Sequence, residues 1–115
     1  PAPWCMAFVS FKVYQGAKEL GIKPQIPKLA SCQLLYNWAN KRGLIRKTPQ
    51  VGDIFLVYHP ELGRYGHTGF VREISGNSFT TIEGNSNTDG SREGREVCSN
   101  KRTLKPGKFV FLSIC

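Results

Sequence analysis

Apolar residues recur at helical spacing through Met6, Val9, Val13, Ala17 and Leu20, with Lys12, Lys18 and Glu19 between them. This pattern predicts a first helix over residues 5–20, stopped at Gly21, where a helix C-terminus favours a left-handed residue. Pro24 and Pro27 mark a loop. Ser31 can then cap a second helix that runs through Leu34, Leu35, Tyr36 and Trp38 and ends at Gly43. After Pro49 and Gly52 the period shortens to strand-like runs at 54–58, 68–74, 78–83, 95–99 and 109–114. Turn signals at Gly63, Gly66 and the pair Gly76 and Asn77 separate the early runs, and the polar stretch 84–94 reads as a long exposed loop. Helices followed by antiparallel strands predict an α+β domain. The 115 residues fit one unit, 1–115, with no internal repeat or linker composition to divide it.

Composition narrows the classes. No apolar run approaches the roughly 18 residues of a membrane span. Sixteen Lys and Arg against eight Asp and Glu leave +8, a surface that attracts nucleic acid, anionic lipid or an anionic wall polymer, and that also serves solubility. The chain starts at Pro1, and Pro1 to Trp4 do not form a charged segment leading into an apolar signal core, so upstream sequence is expected. The four cysteines, Cys5, Cys32, Cys98 and Cys115, include no C-x-x-C pair. That spacing argues against zinc or a redox dithiol, and Cys32, Cys98 and Cys115 read as unpaired buried thiols, with a disulfide among them the alternative in a secreted protein.

One cysteine stands apart by position. Cys5 falls on the first turn of the first helix, where free N–H groups and the helix dipole favour thiolate over thiol. A thiolate nucleophile needs a proton partner, and only His59 and His67 are available. His59, before Pro60, reads as a solvent-facing loop residue without a role, whereas His67, between Gly66 and Thr68, is placed at a strand's entrance beside bare backbone. A third group orients such a base, and two candidates remain open: Glu83, at the end of its run, and Asn85 two residues on. Trp4, Tyr65 and Phe70 are candidates for a substrate groove, with Phe70 favoured for the core. Taken singly, each has a plainer reading: a structural cysteine, a surface histidine, a solvated rim carboxylate, packed aromatics.

Taken in order, four segments carry a resemblance: Ala2 to Ser10 around Cys5; Pro49, Gln50, Val51, Gly52, Asp53, Ile54; Gly66, His67, Thr68, Gly69, Phe70, Val71; and Thr81, Ile82, Glu83, Gly84, Asn85, Ser86, Asn87. They resemble the CHAP family, the cysteine, histidine-dependent amidohydrolases and peptidases of bacteria and phages. The resemblance implies a papain-like fold and cleavage of amide bonds in peptidoglycan, with the substrate itself and anionic wall polymers as partners. It implies Cys5 as nucleophile, His67 as general base, Glu83 as orienting acid and Asn85 as a further polar member. The Cys5 N–H would supply part of an oxyanion hole. It also implies an N-terminal helix upstream of Pro1, and a secreted, wall-associated or phage-lysin setting. No cofactor, nucleic acid or oligomer is expected, and no calcium at Pro1 to Trp4, which hold no carboxylate. The rival readings are a non-catalytic basic module that binds wall polymer, and a cysteine hydrolase of some other amide.

Overall fold

The structure, a computed structural model, describes residues 4–21, 23, 26–27, 29, 31–86 and 95–113; the side chains of Trp4 and Asn85 lie outside that description. Two helices precede six strands: α1 Trp4–Leu20, α2 Cys32–Lys41, β1 Ile54–His59, β2 Arg64–Ser75, β3 Ser78–Ser86, β4 Arg95–Cys98, β5 Lys101–Thr103 and β6 Phe109–Leu112. Each helix follows from its pattern. In α1, Met6, Val9, Val13 and Ala17 are buried while Lys12, Lys18 and Glu19 face water, and Gly21 closes the helix at φ 70° with its N–H on the Lys18 carbonyl. In α2 the Ser31 hydroxyl accepts from the Leu34 N–H at 3.1 Å, and Cys32, Leu35 and Ala39 form the buried stripe.

All strand pairings are antiparallel, in the order β4-β3-β2-β1-β6, with β5 on β3. The architecture is therefore the expected α+β, helices packed on an antiparallel sheet. Strand β1 is central and buried on both faces, which is why Ile54, Phe55, Leu56 and Val57 run apolar without alternation. Ile54 and Leu56 join the helices in one core, while Phe55 and Val57 join Val71, Phe79, Phe109 and Phe111 in a second core. The segment that links α2 to β1 is pinned by buried Asp53, whose carboxylate accepts from Arg46 at 2.6 Å and from the Gln50 N–H at 2.8 Å. That accounts structurally for the Pro49 to Asp53 motif: a turn with Gly52 at φ 91° closed by an acidic side chain.

Several strands differ from expectation. Strand β2 starts at Arg64 instead of residue 68, because the chain reverses over residues 60–63 with Gly63 at φ 65° and pairing resumes at His59 and Arg64. A register shift between Val57 and Tyr58 absorbs the mismatch. His67 thus sits inside the strand, opposite Val57. Strand β3 continues through Gly84, Asn85 and Ser86, residues expected in a loop, because β4 pairs with them. Strand β6 ends at Leu112. Strand β5, three polar residues long, was not anticipated.

Candidate active site

Two elements meet at Cys5. It is the second residue of α1, so its amide is one of the first-turn N–H groups that the helix leaves unpaired. Its side chain is 7% exposed. The sulfur interacts with the Cys32 thiol at the start of α2, the His67 ring and the Thr68 N–H, the last two from β2. The Gln33 side chain, accepting from the Tyr65 N–H at 2.9 Å, ties the start of α2 to that strand.

His67 Nε2 donates to Glu83 Oε1 at 2.7 Å, which leaves Nδ1 as the ring nitrogen for the Cys5 sulfur. The three expected groups, Cys5, His67 and Glu83, therefore lie next to one another, His67 hydrogen-bonded to Glu83 and interacting electrostatically with Cys5. Glu83 is not the rim charge its plainer reading supposed: it is fully buried and saturated with donors. Thr81 Oγ1 donates to Oε2 at 2.6 Å, Arg102 Nε to Oε2 at 2.8 Å and Arg102 Nη2 to Oε1 at 2.9 Å. Such a set is what a carboxylate needs to remain ionised away from water.

Gly69 makes this geometry possible. A Cβ there would lie 2.8 Å from the Ile82 carbonyl oxygen, 2.8 Å from the Phe55 ring and 2.9 Å from Glu83 Cγ. Only bare backbone lets the Glu83 side chain cross β2 towards His67.

Electrostatics follow from these contacts. The Cys32 thiol, together with His67 and the Thr68 N–H, outweighs burial and lowers Cys5 from the ordinary 9.0 to about 4. Burial would lower His67, but its bonds to Cys5 and Glu83 win and raise it from 6.5 to about 9. Burial likewise opposes ionisation of Glu83, yet His67, Arg102 and Thr81 hold it well below the usual carboxylate range. Cys32 is pushed up, first by its bond to Cys5 and then by burial, so it stays a thiol and donates. The arrangement can hold a thiolate and an imidazolium side by side at neutral pH, the resting state of a cysteine nucleophile with its acid–base partner.

The other expected residues are placed as follows. Asn85 lies on β3 opposite Glu96, two residues beyond Glu83, and its side chain is outside the described residues, as is that of Trp4 at the start of α1. Tyr65 does not line the cleft at His67. It stacks on Tyr36 with ring centroids 4.4 Å apart and meets Tyr58 edge-on at 5.1 Å, and it lines a second groove between α2 and β6. Phe70 packs against Phe8 in the helix-side core. Cys5 and Cys32 are buried free thiols, and Cys98 is half-buried with its sulfur accepting from the Asn100 side chain at 3.7 Å; Cys115 lies outside the described residues.

Three residues without an assigned role join the site. His59, expected to face solvent, ends β1 with its ring over Gly66, close enough that a Cβ there would meet it at 2.5 Å. It helps line a cleft of about 500 Å³ with His67, Glu83, Asn100, Lys101 and Arg102. Arg102 reaches Glu83 across 19 residues of sequence, and nothing in its local surroundings signals that contact. Cys32, read only as a buried thiol, had its position at a helix start as a signal, the same one that singled out Cys5.

An α+β fold with a cysteine at a helix N-terminus facing a histidine and a buried carboxylate defines the class of papain-like domains. The family model of the CHAP domain matches residues 1–85, 85 of the 115 residues in the chain, and the protein belongs to that family, whose members are hydrolases of the amidase and peptidase type. No significant match was found among curated proteins or solved structures. The family match stops at Asn85, yet β5 supplies Arg102 to Glu83 and β6 pairs with β1. No helix among the described residues is long and apolar enough to cross a membrane.

Proposed function

We propose that the protein is a cell-wall hydrolase that cleaves amide bonds of peptidoglycan, with Cys5 as nucleophile, His67 as acid–base group and Glu83 as the residue that orients the ring. The adjacency of Cys5, His67 and Glu83 carries this reading. The Cys5 thiolate attacks the amide carbonyl, and the oxyanion that forms is stabilised by the Cys5 N–H at the helix start. His67 gives its proton to the departing amine, leaving a thioester on Cys5. It then takes a proton from water, whose hydroxyl adds to the thioester carbonyl and expels the Cys5 thiolate, releasing a new carboxylic acid and restoring the thiolate beside protonated His67. Glu83 stabilises the imidazolium throughout, and Asn85 is the further polar member. Residues 1–115 act as one catalytic unit, because strands beyond the family match complete its sheet and buttress Glu83. The setting is the wall itself, reached by secretion or as part of a phage lysin.

Digestion of soluble wall fragments in ¹⁸O-labelled water tests this reading. One labelled oxygen in each newly formed carboxylate, with fragment masses marking an N-acetylmuramoyl-L-alanine amidase or a peptide-bond endopeptidase, is the expected result. Wall fragments left intact while other amides are cut would transfer the chemistry to a different substrate.

A further inference from the structure

The direction in which His67 hands over its proton fixes how a substrate lies. The leaving amine takes its proton from Nδ1, the nitrogen that faces Cys5, so the fragment attached to it lies on the His67 side of the scissile carbonyl; the adjoining cleft includes His67 but not Cys5 in its lining. The cleft lined by His59, His67, Asn100, Lys101 and Arg102 begins at His67 and holds about 500 Å³, space for one or two residues of substrate.

The charge around this cleft is one-sided. Glu83, on its wall, is buried and already shared by His67, Thr81 and Arg102. Glu61, the carboxylate beside His59, pairs with His59 Nδ1 at 3.1 Å and is itself exposed. Lys101 is exposed and has no carboxylate partner among the described residues. Arg102 is a quarter exposed and held rigidly. Its Nε and Nη2 are committed to Glu83, and its guanidinium lies 5.4 Å from the centroid of the buried Phe55 ring. That leaves Nη1 as the unused edge of a planar fork whose orientation is set by two buried neighbours. A fixed guanidinium edge with an adjacent ammonium suits a carboxylate.

We infer that this cleft is the subsite for the leaving-amine fragment and that it selects fragments carrying a carboxylate, received by the free edge of Arg102 and by Lys101. The assignment to the leaving side rests on the hydrolase reading above; the anion site itself does not. Amino acids and short peptides with a free C-terminus or an acidic side chain are the class it takes, and amidation of that carboxylate weakens the substrate.

The test is binding of glycylglycine and of its C-terminal amide to the Cys5→Ala protein, followed by backbone chemical shifts. The free acid is expected to bind at least about fivefold more tightly than the amide, the scale of one partly exposed charge-assisted contact. Its shifts should centre on β5 and Gly66, and the preference should fall in Lys101→Gln and in high salt. Equal or undetectable binding of the two, or shifts confined to the groove between α2 and β6, overturns the inference. Selective binding without Cys5-dependent turnover of any amide by the parent would retire the hydrolase reading and leave the anion site standing. Turnover without selectivity would do the reverse.

Discussion

Protonation of the Cys5 and His67 pair can be read directly from the pH dependence of alkylation. Against the effect of burial, the contacts with Cys32, His67 and the Thr68 N–H lower Cys5 from 9.0 to about 4, and those with Cys5 and Glu83 raise His67 to about 9, so thiolate and imidazolium coexist between those limits. At pH 6 an ordinary thiol is only ~0.1% thiolate. Full ionisation of Cys5 raises the reactive population about 1,000-fold, while its lower basicity makes each thiolate roughly 200-fold less nucleophilic at a Brønsted slope of about 0.45. The net gain is therefore only about fivefold at pH 6, and the decisive signature is the shape of the curve. An ordinary thiol gains about tenfold per pH unit below its pKa, whereas Cys5 should alkylate at a constant rate from about pH 5 to about pH 8. Iodoacetamide labelling followed by peptide mass analysis separates Cys5 from half-buried Cys98 and from the protonated Cys32. The sign for stability follows the same pair. Cys5 has its pKa depressed on folding, so its contribution is lost as pH falls through about 4; that of His67, raised on folding, is lost as pH rises through about 9. A Cys5 alkylation rate that climbs tenfold per unit between pH 5 and 8 would refute the ion pair.

Cys32→Ala removes the thiol that contributes most to the lowered pKa of Cys5, and the acid limb of the alkylation profile should move up by about 1–2 pH units, the worth of one hydrogen bond to a charge; an unmoved limb would show that Cys32 does not donate. Arg102→Gln leaves buried Glu83 without its bidentate partner. A loss of about 2–4 kcal/mol in urea unfolding is expected, below the full cost of opening a buried pair because Arg102 is partly exposed, and a loss under about 0.5 kcal/mol would contradict its role. Because Glu83 is held below the ordinary 4.5, its contribution is present above that pH and fades below it, so the penalty of Arg102→Gln should shrink in acid. Gly69→Ala places a methyl against the Ile82 carbonyl, the Phe55 ring and the Glu83 stem; a cost of about 1–3 kcal/mol is expected, together with a lower His67 pKa in an NMR titration as Glu83 is displaced.

Where local pattern and final environment agree, the sequence was readable. Helices α1 and α2 carry apolar stripes bounded by Ser31, Gly21 and Gly43, and β1 is a dense apolar run, so their burial restates their spacing. Cys5 could be singled out because helix starts have a chemistry independent of the rest of the fold. Glu83 could be located but not characterised: a carboxylate at a strand end looks solvated until Arg102, on a three-residue strand without apolar alternation, closes over it. The same long-range pairing explains Gly84, Asn85 and Ser86, whose polar composition suggests a loop although β4 holds them in the sheet. Tyr65 neighbours His67 in sequence, but its ring pairs with Tyr36 and Tyr58, and that partnership depends on where α2 packs.

The most direct test of the account is the release of new amines from purified peptidoglycan by the protein and by its Cys5→Ala and His67→Ala variants, each shown to fold by circular dichroism. Release by the parent and none above background by either variant is the result the Cys5, His67 and Glu83 arrangement predicts. Release that persists in the Cys5→Ala protein would contradict it, because the nucleophile would then lie elsewhere.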